Sequence, residues 1–232
     1  MAKAIALVVG AGSGLGAALA RRFAKAGMTV AVARRNADKL QDLAKEIGGR
    51  AYACDVADAA SVAALFEAVE RNLGAPNLVA FNAGAYMRGG ILEIAPEDFE
   101  RCWRIGCMGG FLVGQAAARR MVPAGQGTIL FTGATAALRG SAGFANLAVP
   151  KFGLRALAQS MARELGPKGV HVAHIIIDGQ IAGERPGYRP EERGQDAVLS
   201  PDAIAEAYLQ VHQQPRSAWT QELDLRPYVE KF

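Results

Sequence analysis

The stretch Ile5–Gly16, IALVVGAGSGLG, constrains the fold of this chain more than any other. A short aliphatic run breaks into four glycines, Gly10, Gly12, Gly14 and Gly16, and a helical pattern rich in Ala and Leu follows at once. The order is strand, tight turn, helix. The first N–H groups of a helix have no partner inside it, and with the helix dipole they favour an anion at that end. Glycine lets the backbone approach such an anion with no Cβ in the way. Glycine triplets are common in loops; the strand before and the helix after point this one to a phosphate.

At 232 residues, 51% of them hydrophobic, the chain is long enough for one well-buried core and short for two, so a single domain is expected. The net charge of +4 is small and dispersed, which argues against a nucleic-acid partner. Cys54, Cys102 and Cys107 form neither a CxxC pair nor a ladder, so a reduced, cytoplasmic setting fits better than an oxidised secreted scaffold. The apolar run after Lys3 stops in the glycine turn, short of the roughly 7–15 residues of a signal-peptide core, and no later run reaches the ~20 of a membrane span. The chain reads as soluble, with no membrane partner.

From Gly14 to Ala26, Leu15, Leu19 and Phe23 recur at four-residue spacing, which predicts an amphipathic helix stopped by Gly27. Strands are expected at 28–33, 50–54, 77–81, 127–132, 170–177 and 219–225, and helices at 38–47, 59–73, 96–121, 146–165 and 201–211. Alternation at these lengths is that of right-handed βαβ crossovers and calls for a parallel sheet of about seven strands with helices on both faces. Gly106, Gly109 and Gly110 interrupt the 96–121 helix, which implies close packing against another helix or a ligand. The segment 178–200, rich in glycine and proline without periodicity, is expected to be a mobile loop on the substrate side.

Four motifs in order then carry a resemblance across essentially the whole chain. Gly10-x-x-x-Gly14-x-Gly16, Asp55-Val56 after the third strand, Asn82-Ala83-Gly84 after the fourth, and Lys151 opening a helix together resemble the short-chain dehydrogenase/reductase family. The resemblance implies a single Rossmann-type, doubly wound α/β domain that binds a nicotinamide dinucleotide and assembles as a homodimer or homotetramer through its two long helices. It implies that Gly10, Gly12, Ser13, Gly14, Leu15 and Gly16 hold the pyrophosphate, Asp55 and Val56 the adenine, Asn82, Ala83 and Gly84 the adenosine side, and Lys151 the nicotinamide ribose. Gly179 and Ile181 follow the sixth strand on the same cofactor side. At the end of the second strand, Arg34 and Arg35 stand where a carboxylate would accept from a ribose 2′-OH, and the next acid is Asp38. Guanidinium groups suit a 2′-phosphate, so NADP(H) is favoured over NAD(H); the alternative is that both arginines are a solvated strand end.

Family members that reduce carbonyls resemble one another in a Tyr-x-x-x-Lys motif, a serine after the fifth strand and an asparagine in the long helix. In this chain those positions hold Leu147, Ala134 and Gly106, and the proline-glycine after the sixth strand is Asp178-Gly179. Leucine has no proton to give, and alanine and glycine cannot orient an oxygen. The resemblance is therefore to an atypical branch that keeps the lysine. Tyr86 and Tyr188 are candidate substitute donors, and Cys107 neighbours the vacated asparagine position. Two readings stay open: an NADP(H)-dependent oxidoreductase acting on a small carbonyl or alcohol, and a cofactor-binding sensor or assembly protein without turnover. The apolar neighbours Phe144, Leu147, Val149 and Ile181 point to a small or hydrophobic ligand. No metal site is expected: His171 and His174 fall on opposite faces of a strand, and His212 stands alone on a helix.

Overall fold

The computed structural model of the protein describes residues 3–183 and 196–230. Seven strands form one sheet: β1 (Ile5–Val9), β2 (Thr29–Arg34), β3 (Arg50–Ala53), β4 (Leu78–Phe81), β5 (Gly127–Thr132), β6 (Val170–Ile177) and β7 (Glu222–Leu225). Their order is β3-β2-β1-β4-β5-β6-β7, and every pairing is parallel. β1, β4 and β6 are buried at every position, because a central parallel strand is covered on both faces; β1 and β4 are apolar throughout, and β6 carries His171 and His174 among its aliphatic residues. Side chains along β1 alternate between two cores. Ala6 and Val8 meet Leu19 and Phe23 of α1 (Leu15–Lys25) and Tyr208 of α7 (Pro201–His212); Leu7 and Val9 join Phe66 of α3 (Ala59–Leu73), Val113 of α5 (Gly109–Ala124) and Leu154 of α6 (Ala145–Leu165).

The chain winds outward from β1 to β3, then returns to place β4 on the other side of β1. That reversal opens a crevice at the C-terminal ends of β1 and β4, where ligands bind in sheets of this kind. The observed fold is the doubly wound parallel sheet expected from the alternation of elements.

Two expected helices differ in detail. The 38–47 helix begins as a tighter 3-10 turn, Ala37–Leu40, whose cap Asn36 accepts from the Asp38 N–H; only α2 (Gln41–Glu46) is α-helical. The 96–121 helix is divided into α4 (Pro96–Trp103), one wide π-helical turn over Arg104–Met108, and α5. Protein contacts explain its glycines. A Cβ at Gly106 would lie 3.0 Å from Pro150 Cβ, one at Gly109 2.9 Å from Val56 Cγ2, and one at Gly110 2.3 Å from Leu154 Cδ1. Within the expected 178–200 loop, Ile181 pairs with Leu199 in a parallel bridge, so the described ends of that segment are tied together.

His212 does not stand alone: its Nδ1 lies 2.9 Å from Thr128 Oγ1, which links α7 to β5. His171 and His174 do lie on opposite faces. His171 stacks on Trp219 and bonds the Thr220 carbonyl through Nε2, while His174 faces Glu222 and feels the charges of Lys151 and Arg155 on α6. Among the described residues the three cysteines are free and no helix is long and apolar enough to cross a membrane.

Candidate active site and dinucleotide cleft

The glycine turn is held open by neighbours on one side and empty on the other. Gly10 has φ +89°, and a Cβ there would sit 2.3 Å from the Ala83 backbone nitrogen. A side chain at Gly10 is thus excluded by conformation and by space. A Cβ at Gly16 would meet Ala11 Cα at 2.7 Å, which brings α1 close under the turn. Gly12 and Gly14 have nothing within 4 Å of their Cβ positions, so the protein itself does not require glycine there. These two open onto the crevice and leave room for a ligand to lie against bare backbone. Gly14 caps α1 with no side-chain hydrogen bond, and the helix has no acidic residue in its first turn, so its first N–H groups face the crevice without a capping side chain.

Asn82 locks the turn from the other strand. Its N–H donates to the Val9 carbonyl at 2.8 Å and its Nδ2 to the Gly10 carbonyl at 3.0 Å. Two clefts meet at this point and share Gly10, Gly12 and Asn82. The first, about 650 Å³, runs past Arg34, Arg35, Cys54, Asp55, Val56, Ala83 and Gly84. The second runs past Ser13, Gly14, Leu15, Gly16 and Ile181. The residues expected around the glycine turn and the ends of β2, β3 and β4 therefore come together along one groove. Gly179 does not line either cleft; its φ is +148°, and a Cβ there would meet Pro227 Cδ at 2.8 Å.

Asp55 is exposed, and its Oδ1 accepts from the Ala57 N–H at 3.0 Å, which fixes the turn between β3 and α3. Arg101 of α4 also lines the first cleft, together with Arg34 and Arg35, and sequence reasoning missed it. No local pattern marks it, because only the tertiary packing of α4, chiefly against α6, carries it there.

Lys151 lies deeper. It is 7% exposed, lies outside the lining of both clefts, and its Nζ donates to the Thr132 carbonyl at 2.6 Å. Burial lowers its ammonium from the ordinary lysine range to about 8. Beside it Arg155, one helical turn on, grips Glu222 of β7 with two bonds of 2.7 Å and also donates to the Ala137 carbonyl. This clamp ties α6 to β7 and to the loop after β5.

Leu147, Ala134 and Gly106 present no side-chain proton or hydrogen-bonding group at their positions. Tyr86 stacks on Phe144 with ring centroids 5.3 Å apart, just before α6 begins, and is 46% exposed. Tyr188 lies outside the described residues. Cys107 points toward α6 instead: its Sγ lies 2.7 Å from a Cβ built at Gly153, and burial raises its thiol. The arrangement can hold an extended anionic ligand along the strand ends.

Comparison with known proteins agrees with this geometry. Residues 4–181 match the short chain dehydrogenase family. The chain is 36% identical to a D-threitol dehydrogenase of Mycolicibacterium smegmatis over 176 residues, 74% of this chain and 68% of that protein. A crystal structure of a short-chain dehydrogenase from Rhodopseudomonas palustris superposes with a TM-score of 0.84 at 44% identity, covering 97% of this chain and 99% of that one. A metagenomic short-chain oxidoreductase crystallised in complex with NADP matches at TM-score 0.84 and 27% identity, over 98% of both chains. The chain belongs to the short-chain dehydrogenase family.

Proposed function

We propose that the protein is an atypical NADP(H)-dependent oxidoreductase acting on a small alcohol or carbonyl compound. The observation that carries the cofactor half is the groove itself. Gly12 and Gly14 leave open space at an uncapped helix N-terminus, and the same groove leads to Arg34 and Arg35. Such a groove fits a pyrophosphate at the turn and a 2′-phosphate at the arginines. Gly10–Gly16 would take the pyrophosphate, Asp55, Val56 and Asn82–Gly84 the adenosine, and Lys151 and Ile181 the nicotinamide end. When bound, the nicotinamide supplies hydride chemistry. The NADP of the metagenomic relative and the polyol named for the mycobacterial one support this choice of cofactor and substrate class.

Cofactor preference is tested by measuring dissociation constants for NADPH and NADH. NADPH is expected to bind at least about tenfold tighter, and Arg34→Ala with Arg35→Ala to remove most of that difference, since each lost charged contact is worth about 1.5–3 kcal/mol. Equal affinities in the unaltered chain would overturn the charge argument.

A second reading is favoured by Leu147, Ala134 and Gly106 together: a protein that binds the cofactor and turns nothing over, acting as a sensor or assembly partner. Incubating the NADPH complex with aldehydes, ketones and quinones, and the NADP⁺ complex with short polyols, separates the two. Turnover supports the enzyme, and tight binding without it supports the sensor. A cytoplasmic homodimer or homotetramer is part of the same proposal.

A further inference from the structure

The cleft lined by Arg34 and Arg35 has a third guanidinium, Arg101, which comes from α4 rather than from the sheet. Two segments lead into the cleft, and both run from buried to exposed. On β2 and just beyond it, Ala33 is buried, Arg34 half-buried and Arg35 exposed. On the helices, Gly109 is buried against Val56, Ile105 is half-buried, and Arg101, one turn further out, is exposed. Arg101 and Ile105 both line the cleft, as residues four apart on one helix face can. The three cations therefore stand at the solvent end of the cleft, with the buried Cys54 and Val56 at its inner end.

Opposing charge in the cleft is scarce. Asp55 is the one carboxylate of its lining, and its Oδ1 accepts from the Ala57 N–H. Three arginines against one aspartate leave the lining with positive charge in excess. Among the described residues no carboxylate pairs with Arg34 or Arg35. Arg101 is held loosely: its Nη2 donates to Asp98 Oδ1 at 3.0 Å, an exposed pair on the same helix, and to the thioether of Met87. Exposed pairs of this kind add little, and a thioether is a weak acceptor. A phosphate oxygen is a much stronger one, and a guanidinium matches it in charge and in shape. The exposed end also suits a phosphate dianion, which keeps part of its hydration there, whereas a purine base is better served by the apolar Ile105 and Val56.

We propose that Arg101 is a specificity-determining residue for the cofactor. With Arg34 and Arg35 it binds the 2′-phosphate that distinguishes NADP(H) from NAD(H), and it gives up Met87 when the phosphate arrives. The role rests on the NADP(H) reading above and adds to it a ligand from α4, where the strand end alone was expected to select the cofactor.

The test titrates the full chain with 2′,5′-ADP and with 5′-AMP in a calorimeter. The two share the adenosine and the 5′-phosphate and differ only in the 2′-phosphate, and neither requires turnover. The unaltered chain is expected to bind 2′,5′-ADP at least about tenfold more tightly. Arg101→Met, which keeps an unbranched side chain without the charge, is expected to weaken 2′,5′-ADP about fivefold, the scale of one partly exposed charged contact, and 5′-AMP less than about twofold. Arg101→Lys keeps the charge but not the planar fork and is expected to recover part of the loss. Raising the ionic strength is expected to weaken 2′,5′-ADP binding more in the unaltered chain than in Arg101→Met. The preference for NADPH over NADH is expected to fall in Arg101→Met by the same factor as the 2′,5′-ADP affinity.

An Arg101→Met chain that keeps the full preference for 2′,5′-ADP would overturn the role of Arg101 and leave the NADP(H) reading standing. Equal weakening of both nucleotides would overturn it too, by moving Arg101 to the base or the 5′-phosphate. An unaltered chain that binds 2′,5′-ADP no more tightly than 5′-AMP would overturn the NADP(H) reading and this role with it.

Discussion

His174 is an ionisable side chain held at 0% exposure, and neither ring nitrogen has a hydrogen-bond partner among the described residues. Burial, reinforced by the positive charges of Lys151 and Arg155 and only partly offset by Glu222, lowers its imidazolium from 6.5 to about 4. The folded value lies below the unfolded one, so between them the unfolded chain binds more protons. Stability from this site is complete above pH about 6.5 and is lost as the pH falls toward about 4, by at most about 3 kcal/mol. Burial lowers His171 and His212 as well, so they add to the same slope. Urea unfolding across this pH range is expected to show the decline, and His174→Gln to flatten part of it. An unchanged slope would mean that His174 binds its proton equally well in the folded and unfolded chain.

The joint between α4 and α5 shows how one element shapes another. Gly106 is buried in the π-helical turn against Pro150, the residue before Lys151 on α6. Proline inside a helix lacks the N–H that would bond back one turn, and its ring needs room on the facing surface. Gly106 supplies that room, so the position has no space for the asparagine that the family resemblance calls for. Gly106→Asn is expected to destabilise the protein by about 1–3 kcal/mol through overpacking. Adding Pro150→Ala in the same chain is expected to recover part of that loss. Thermal unfolding of the single and double variants measures the coupling, and simple additivity would sever the link between the two positions.

At the scale of the whole molecule, the sheet is covered on both faces, yet large apolar side chains remain outside it. Trp103, Phe111, Val149 and Phe152 are each 38–45% exposed on α4, α5 and α6. Exposed apolar side chains on helices that pack together are what the proposed homo-oligomer would cover. Sedimentation of the unaltered chain is expected to give a dimer or tetramer, and Phe111→Asp with Phe152→Asp to shift it toward monomer. A monomer in both cases would remove this part of the proposal.

Much of the architecture was legible in the sequence because its signals are local. The aliphatic run Ile5–Val9 followed by Gly10 and Gly16 specifies strand, turn and helix, and short apolar runs and apolar spacings of three to four residues mark the other strands and helices. That Asp55 and Asn82 lie near the turn is what the family resemblance implied, and both line the first cleft. Contacts between residues far apart in the chain were beyond that reach. The π-helical turn against Pro150, the bond from His212 to Thr128, the clamp of Arg155 on Glu222, and Arg101 in the cleft all depend on how finished elements pack. Local backbone preference and hydrophobic period thus determined the order of strands and helices and the place of the glycine turn. Which polar groups pair at the ends of β5 and β6, the Thr135 hydroxyl with Asp178 and the Lys151 ammonium with the Thr132 carbonyl, was decided only when burial brought distant segments together and left each polar group needing a partner.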